Sequence, residues 1–261
     1  VNINLRKPKS TTAFAITLLG AGALLFALVM LPKLREPSLP DFAAIEDVDT
    51  LKRQFFSFLA PQVDAVNARV RAQRARLLPL AEAIEHGQTP RWRDRRWLRS
   101  LAREYQVELD PAAPEEALAL LRLRVDSVPV PLALVQAAAE SGWGRSRFAV
   151  EGNNLFGHWC YVPGCGLVPE NRGAQARHEV AVFDSVREAA RRYLHNLNTH
   201  PAYRPLRERR EALRRQGRPL ETPALVDGLL DYSERREAYI EEIRALLEFN
   251  RELIEDATGS S

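Results

Sequence analysis

The run from Thr12 to Leu31, TAFAITLLGAGALLFALVML, carries no charge over twenty positions. An ordinary globular core has no place for a helix that is apolar all round. At roughly 1.5 Å of rise per residue, the run matches a hydrocarbon core of ~30 Å. Residues 12–32 therefore read as a transmembrane anchor, and everything downstream must fold apart from it. Arg6, Lys7 and Lys9 precede the run, and Lys33 and Arg35 follow it. The positive-inside rule puts the short tail 1–11 in the cytoplasm, on a small charge asymmetry. A cleaved signal peptide is the competitor. The run ends Leu28-Val29-Met30-Leu31-Pro32, without a small-x-small cleavage site, so an uncleaved anchor is expected.

Residues 33–48, rich in Pro, Asp and Glu, read as a spacer. From 49 to 87, Phe55, Phe56, Leu59, Val63, Val66 and Val70 recur at helical steps. Pro61 is expected to break or kink that helix. A second helix, about 91 to 105, carries Trp92 and Trp97, which are assigned to packing. Together these form an expected helical arm, 49–109, whose stretch 49–105 is a candidate surface for an envelope protein partner. The formal net charge of +3 reads as solvated helix surface, and no recognised motif supports nucleic-acid binding.

Pro111 and Pro114 open a short helix with Glu115 and Glu116 in its first turn, complementing the dipole. Pro131 suits the start of LALVQAAAES, and Gly142 stops it. Residues 157–183 lose helical period. Cys160 and Cys165, the two cysteines, bracket Pro163-Gly164, which suits a type II turn. That turn would bring the thiols together, and outside the cytoplasm a disulfide is expected. A metal site is not expected, because His158 and His178 do not complete a common zinc spacing. HEVAVF, 178–183, alternates as a strand, and the region reads as a β lobe containing a hairpin. Asp184-Ser185 offers a cap to the next helix. Two more are expected, 202–216 and 222–250, the latter breaking near Asp231, followed by a tail, 251–261. The fold class is α+β, predominantly helical.

Glu140 carries the chemistry. It ends a helix after Ala137, Ala138 and Ala139, where the negative end of the dipole disfavours a carboxylate. Trp143, a turn away, is expected to exclude water. Both effects raise the pKa, as a general acid near neutral pH needs. The competing reading, a solvated helix-end Glu, fits poorly with the glycines and paired asparagines around it.

ESGWGRS (140–146), NNLFG (153–157), HEVAVFDS (178–185), YLHNLNTHPAYRPLR and YSERREAYIEEI resemble the Bax-type glucosaminidase domain, related to glycoside hydrolase family 73 and the lysozyme superfamily. The resemblance covers roughly 110–247, and the domain is expected over 110–250. It implies a lysozyme-like helical body with a small β lobe, no cofactor, and endo-β-N-acetylglucosaminidase activity on peptidoglycan glycan strands. It implies Glu140 as general acid and Glu179 as the second carboxylate, with Glu170 competing, and Tyr203 as a cleft tyrosine toward the N-acetyl group or water. Trp143, Asn154, Phe156 and Trp159 are implied substrate contacts, although Phe156 reads more readily as core and packing is an equal reading for Trp159. Arg236 departs from the pattern, standing where related sequences often place Gly. With the anchor, the resemblance places the catalytic domain in the periplasm of a bacterial inner-membrane protein. A lytic transglycosylase of the same fold, or a non-catalytic glycan-binding scaffold, are the rival readings.

Overall fold

The computed structural model describes residues 36–110, 112–170 and 177–259. The chain divides into two compact units after Pro37, and nearly all described residues belong to the second, Ser38–Ser261. The apolar run 12–31 and its expected anchor lie outside the described residues. No described helix is long and apolar enough to cross a membrane.

The second unit opens with a 3-10 turn, Phe42–Ala44, and a long helix, α1 (Val48–Glu85). Asp47 caps α1, accepting the Thr50 N–H at 2.8 Å. Of the break or kink expected at Pro61, the break does not occur: α1 runs through both Pro61 and Pro79. An interior proline costs about 3 kcal/mol through a lost hydrogen bond and a ring clash. Phe55, Phe56, Leu59 and Val63 are fully buried around it. At roughly 1.5–3 kcal/mol each, their burial outweighs that cost.

Helix α1 serves two cores. Phe55 to Val66 pack in the main core with residues of 128–156, while Leu77 and Ala81 pack in a second core with α2 (Trp92–Glu104) and α3 (Glu115–Arg124). At 38 residues, α1 is roughly 57 Å long, more than one small core can cover. The expected division at 109/110 therefore does not follow the packing. The first half of the arm is core to the body, and α3 closes the second core. Trp97 packs on that second core, whereas Trp92 stays 60% exposed, against the expectation that both pack.

Helix α4 (Val130–Ser141) is buried along most of its length and ends at Gly142 in the left-handed conformation. A short helix, α5 (Arg147–Gly152), leads into the β lobe. Three strands follow: β1 (Trp159–Cys160), β2 (Gly166–Leu167) and β3 (Glu179–Ala181), in the order β1-β3-β2 and antiparallel throughout. Trp159 and Leu167 both face Val180 in register. The expected hairpin is β2–β3, consecutive and antiparallel, and β1 adds on the other side of β3. The type II turn is present, with Gly164 at φ 81° and the Cys165 N–H bonded to the Val162 carbonyl at 3.0 Å. It closes the Cys160–Cys165 disulfide. Gly166 is required where β2 meets β3, because a Cβ there would sit 2.0 Å from the Val180 carbonyl oxygen.

Ser185 caps α6 (Val186–Thr199), accepting the Glu188 N–H at 3.2 Å. A 3-10 turn (Pro201–Tyr203) leads to α7 (Arg204–Arg215), then α8 (Thr222–Val226) and a 3-10 stretch (Asp227–Tyr232). The break expected near Asp231 falls just after it, before α9 (Glu237–Phe249). The expected tail is instead a helix, α10 (Arg251–Thr258), whose buried Ile254 joins the main core.

Candidate active site

The ESGWG segment is built as a chain reversal. Gly142, Trp143 and Gly144 are consecutive left-handed residues, with φ of 57°, 61° and 76°. Ser141 Oγ donates to the Ala137 carbonyl at 2.6 Å and accepts the Gly144 N–H at 2.8 Å. Gly144 packs against Phe42, where a Cβ would stand 2.6 Å from the ring. The turn fixes the end of α4 and leaves Glu140 half-buried on its last turn.

Beneath Glu140 runs a directed chain of hydrogen bonds. The Tyr193 hydroxyl donates to Gln136 Oε1 at 2.6 Å, and the Gln136 amide donates to the Tyr239 hydroxyl at 2.8 Å. Tyr239 is in turn hydrogen-bonded to the Glu140 carboxyl. Gln136, Tyr193 and Tyr239 are fully buried. Burial pushes the Glu140 carboxyl above its ordinary range; the Tyr239 bond and the Arg235 charge pull it down, Glu242 pushes it up, and the net direction is upward. An acid held protonated above ordinary carboxyl pH, on a fixed support, is equipped to donate a proton.

Trp143 packs edge-on against Phe55 at 5.7 Å and Phe56 at 5.3 Å, beneath Lys52. Its indole is thus part of the aromatic packing on α1. What lies against the carboxyl is Gly157: a Cβ there would sit 3.1 Å from Glu140 Oε2. NNLFG therefore reaches Glu140 through its glycine.

The remaining expected residues separate into those near Glu140 and those committed elsewhere. Tyr203, 8% exposed, is near enough that the Glu140 charge pushes its hydroxyl up, after burial itself; its hydrogen bond with Asn196 pulls the other way. Its ring lies 5.7 Å from Tyr232, which stacks on Tyr239 at 5.4 Å. Asn154 is fully employed within the protein. Its amide donates to the His158 and Ala181 carbonyls, both at 2.9 Å, and its Oδ1 accepts the His158 N–H at 3.0 Å. This bridge ties the loop to β3 and leaves no amide hydrogen for a sugar, contrary to expectation. Phe156 is buried and stacks on Tyr193 at 4.2 Å, so it is core rather than a sugar contact. Trp159 is half exposed, stacked on His178 at 4.0 Å, with its indole presented on the β lobe.

Glu179 is 8% exposed. Its Oε1 accepts the Gly164 N–H at 3.0 Å and its Oε2 the Gly166 N–H at 2.9 Å, holding the loop that the disulfide closes. Its ligand atom lies within 4.8 Å of both cysteine sulfurs, but those sulfurs are joined to each other, so the trio is a structural knot rather than a metal set. Glu170 is open to solvent, its side chain 83% exposed and 3.9 Å from Arg147. Sequence reasoning missed Gln136, Tyr193 and Tyr239. Tyr239 lay within YSERREAYIEEI, but nothing local tied it to an acid on α4.

The chain belongs to the glucosaminidase family: residues 118–250 match the family model described as mannosyl-glycoprotein endo-beta-N-acetylglucosaminidase. Within that family it is of the Bax type. It is 31% identical to "Protein bax" of Escherichia coli (strain K12) over 220 residues, covering 84% of this chain and 77% of that protein. No solved structure matches the chain significantly.

Proposed function

We propose that this chain hydrolyses N-acetylglucosamine linkages of peptidoglycan, as an endo-β-N-acetylglucosaminidase anchored by residues 12–31 with its catalytic unit outside the cytoplasm. The observation that carries this reading is Glu140, half-buried, its carboxyl raised by burial and supported by the Tyr193–Gln136–Tyr239 chain. Its proton passes to the glycosidic oxygen as the bond to the anomeric carbon breaks, and positive charge develops on the sugar ring. Tyr203 and the tyrosines beside it line the approach and exclude water. Both Glu179 oxygens hold backbone N–H groups and Glu170 faces Arg147, so the substrate's own N-acetyl oxygen is the source of help this reading favours, with Glu170 the competing carboxylate.

That commitment of Glu179 also favours a second reading, a lytic transglycosylase, which needs only one catalytic carboxyl. Digesting purified peptidoglycan with the full chain and identifying the new ends by mass spectrometry separates the two. Reducing N-acetylglucosamine ends support the hydrolase, and anhydromuramic ends the transglycosylase. Glu140→Gln is expected to lower either product by roughly 10²–10⁴-fold. If neither wild type nor variant releases product while both bind glycan, the domain is a scaffold.

A further inference from the structure

On the α3–α7 face, a groove of about 820 Å³ runs beside the turn at Pro201 and does not include Glu140. Five arginines line it: Arg122, Arg124, Arg204, Arg207 and Arg215. Three have acidic partners. Arg122 is held by Glu85 at 2.6 and 2.8 Å, Arg204 by Glu208 at 2.7 Å, and Arg215 by Glu211 at 3.2 Å. Glu116, at the head of α3, stands on the same wall.

Arg124 and Arg207 have no acidic partner among the described residues. Each spends a single terminal nitrogen on the backbone. Arg124 Nη1 donates to the Tyr105 and Gln106 carbonyls at 2.7 and 2.8 Å, and Arg207 Nη1 to the Leu197 and His200 carbonyls, both at 2.9 Å. In both residues the buried Nε has no hydrogen-bond partner. Nε is closed off in both, but neither Nη2 is hydrogen-bonded among the described residues or buried without a partner, so each guanidinium, already fixed in place through Nη1, keeps one charged donor for an oxyanion. Arg207 is 2% exposed, and a buried donor left unmade is costly. The two groups also repel. After burial, the Arg124 charge is the next cause holding Arg207 down at about 10, and Glu208, which offsets it, is bonded to Arg204.

We propose that this groove is a binding site for an oxyanion group, a phosphate or a carboxylate, received by the unused Nη2 donors of Arg124 and Arg207 and distinct from the site at Glu140. The groove has room for a molecule larger than a bare ion. The proposal does not rest on the glycosidase reading, because its test reads binding and not cleavage.

Isothermal titration of the full chain at low ionic strength with inorganic phosphate, pyrophosphate and succinate tests it. Saturable binding of one molecule per chain is expected, and the order of the three probes tells a phosphate site from a carboxylate site. Arg124→Lys and Arg207→Lys keep the charge but lose the Nη2 donor, and each is expected to weaken binding about tenfold. Arg218→Lys, away from the groove, and Glu140→Gln are expected to bind as wild type. Circular dichroism checks that each variant is folded; if Arg207→Lys is not, Arg124→Lys decides. Absence of saturable binding for all three probes, wild-type affinity in Arg124→Lys, or loss of binding in Glu140→Gln would overturn the proposal.

Discussion

Tyr239 sets the working range of Glu140. Its hydrogen bond favours the charged carboxylate, against burial, which favours the neutral form. In Tyr239→Phe that bond is gone, so the Glu140 pKa rises and the acid stays protonated to higher pH. The alkaline limb of kcat/KM for glycan cleavage is expected to move upward in pH; Arg235→Gln should move it the same way and Glu242→Gln the opposite way. The same linkage acts on stability. A carboxyl raised in the folded state contributes fully below its unfolded value, near 4.5, and loses that contribution as pH rises through the folded value. Glu140→Gln is therefore expected to be more stable than wild type at neutral pH, with the gap in urea midpoint closing below pH 4.5; an equal gap at both pH values would contradict the raised carboxyl. Glu140 was legible because its helix, its stop at Gly142 and the glycines around it are local. Tyr239 was not, because only the tertiary fold sets it under α4. Arg236 is a second residue-scale case. It adopts φ 48°, ψ −111°, a conformation suited to glycine, as its departure from the resembled pattern implies. Such strain costs about 1–3 kcal/mol, while its exposed pair with Asp231 returns about 0.2–1 kcal/mol. Arg236→Gly is expected to stabilise by about 1 kcal/mol in urea unfolding, and Arg236→Ala, which keeps the strained backbone and loses the pair, to stabilise not at all.

At the scale of elements, local signals held and partner-dependent ones did not. Ser185, Gly142 and Pro163-Gly164 act through their own backbone geometry, and each does what its sequence position predicts. Pro61 misled as a helix break because the aromatics around it pack α1 in the main core on both sides of the proline. The β2–β3 hairpin was legible in the alternation of HEVAVF and the turn residues before it, whereas the third strand was not, because β1 reaches past β2 to pair with β3. Its Glu179 is where that matters most. A glutamine there retains one acceptor but turns an amide N–H toward the N–H groups of the 164–166 loop. Leaving a buried donor unmade costs about 1–3 kcal/mol. Glu179→Gln is expected to speed hydrogen exchange at the Gly164 and Gly166 amides while cutting activity much less than Glu140→Gln does. Unchanged exchange with activity lost as completely as in Glu140→Gln would return Glu179 to the reacting centre.

Across the molecule, two hydrophobic cores are joined by one long helix and by a buried charge cluster. Asp126, 2% exposed, takes two bonds from Arg214 at 3.0 and 2.9 Å and lies 3.7 Å from Arg74 on α1 and 3.8 Å from Arg210. Arg210, 1% exposed on its side chain, fastens the end of α3 and the loop after it to α7 through the Leu123, Asp126 and Ser127 carbonyls. Burial raises the Asp126 carboxyl, but the Arg214 bond and the Arg210 and Arg74 charges overcome it, and the net direction is downward. Stability from this group is present above its unfolded pKa and lost as pH falls through the folded value. Asp126→Asn leaves Arg210 buried without its counter-charge, a loss of about 3–5 kcal/mol when one partner of such a pair is removed. The cost falls where the cores meet, so they should also cease to unfold together. Trp143 reports the main core and Trp97 the second. With Trp92 and Trp159 replaced by Phe, and either Trp143 or Trp97 retained, the two probes are expected to give coincident urea transitions on the wild-type background and separated ones with Asp126→Asn. Coincident transitions in the variant would show that α1 alone is enough to couple the cores.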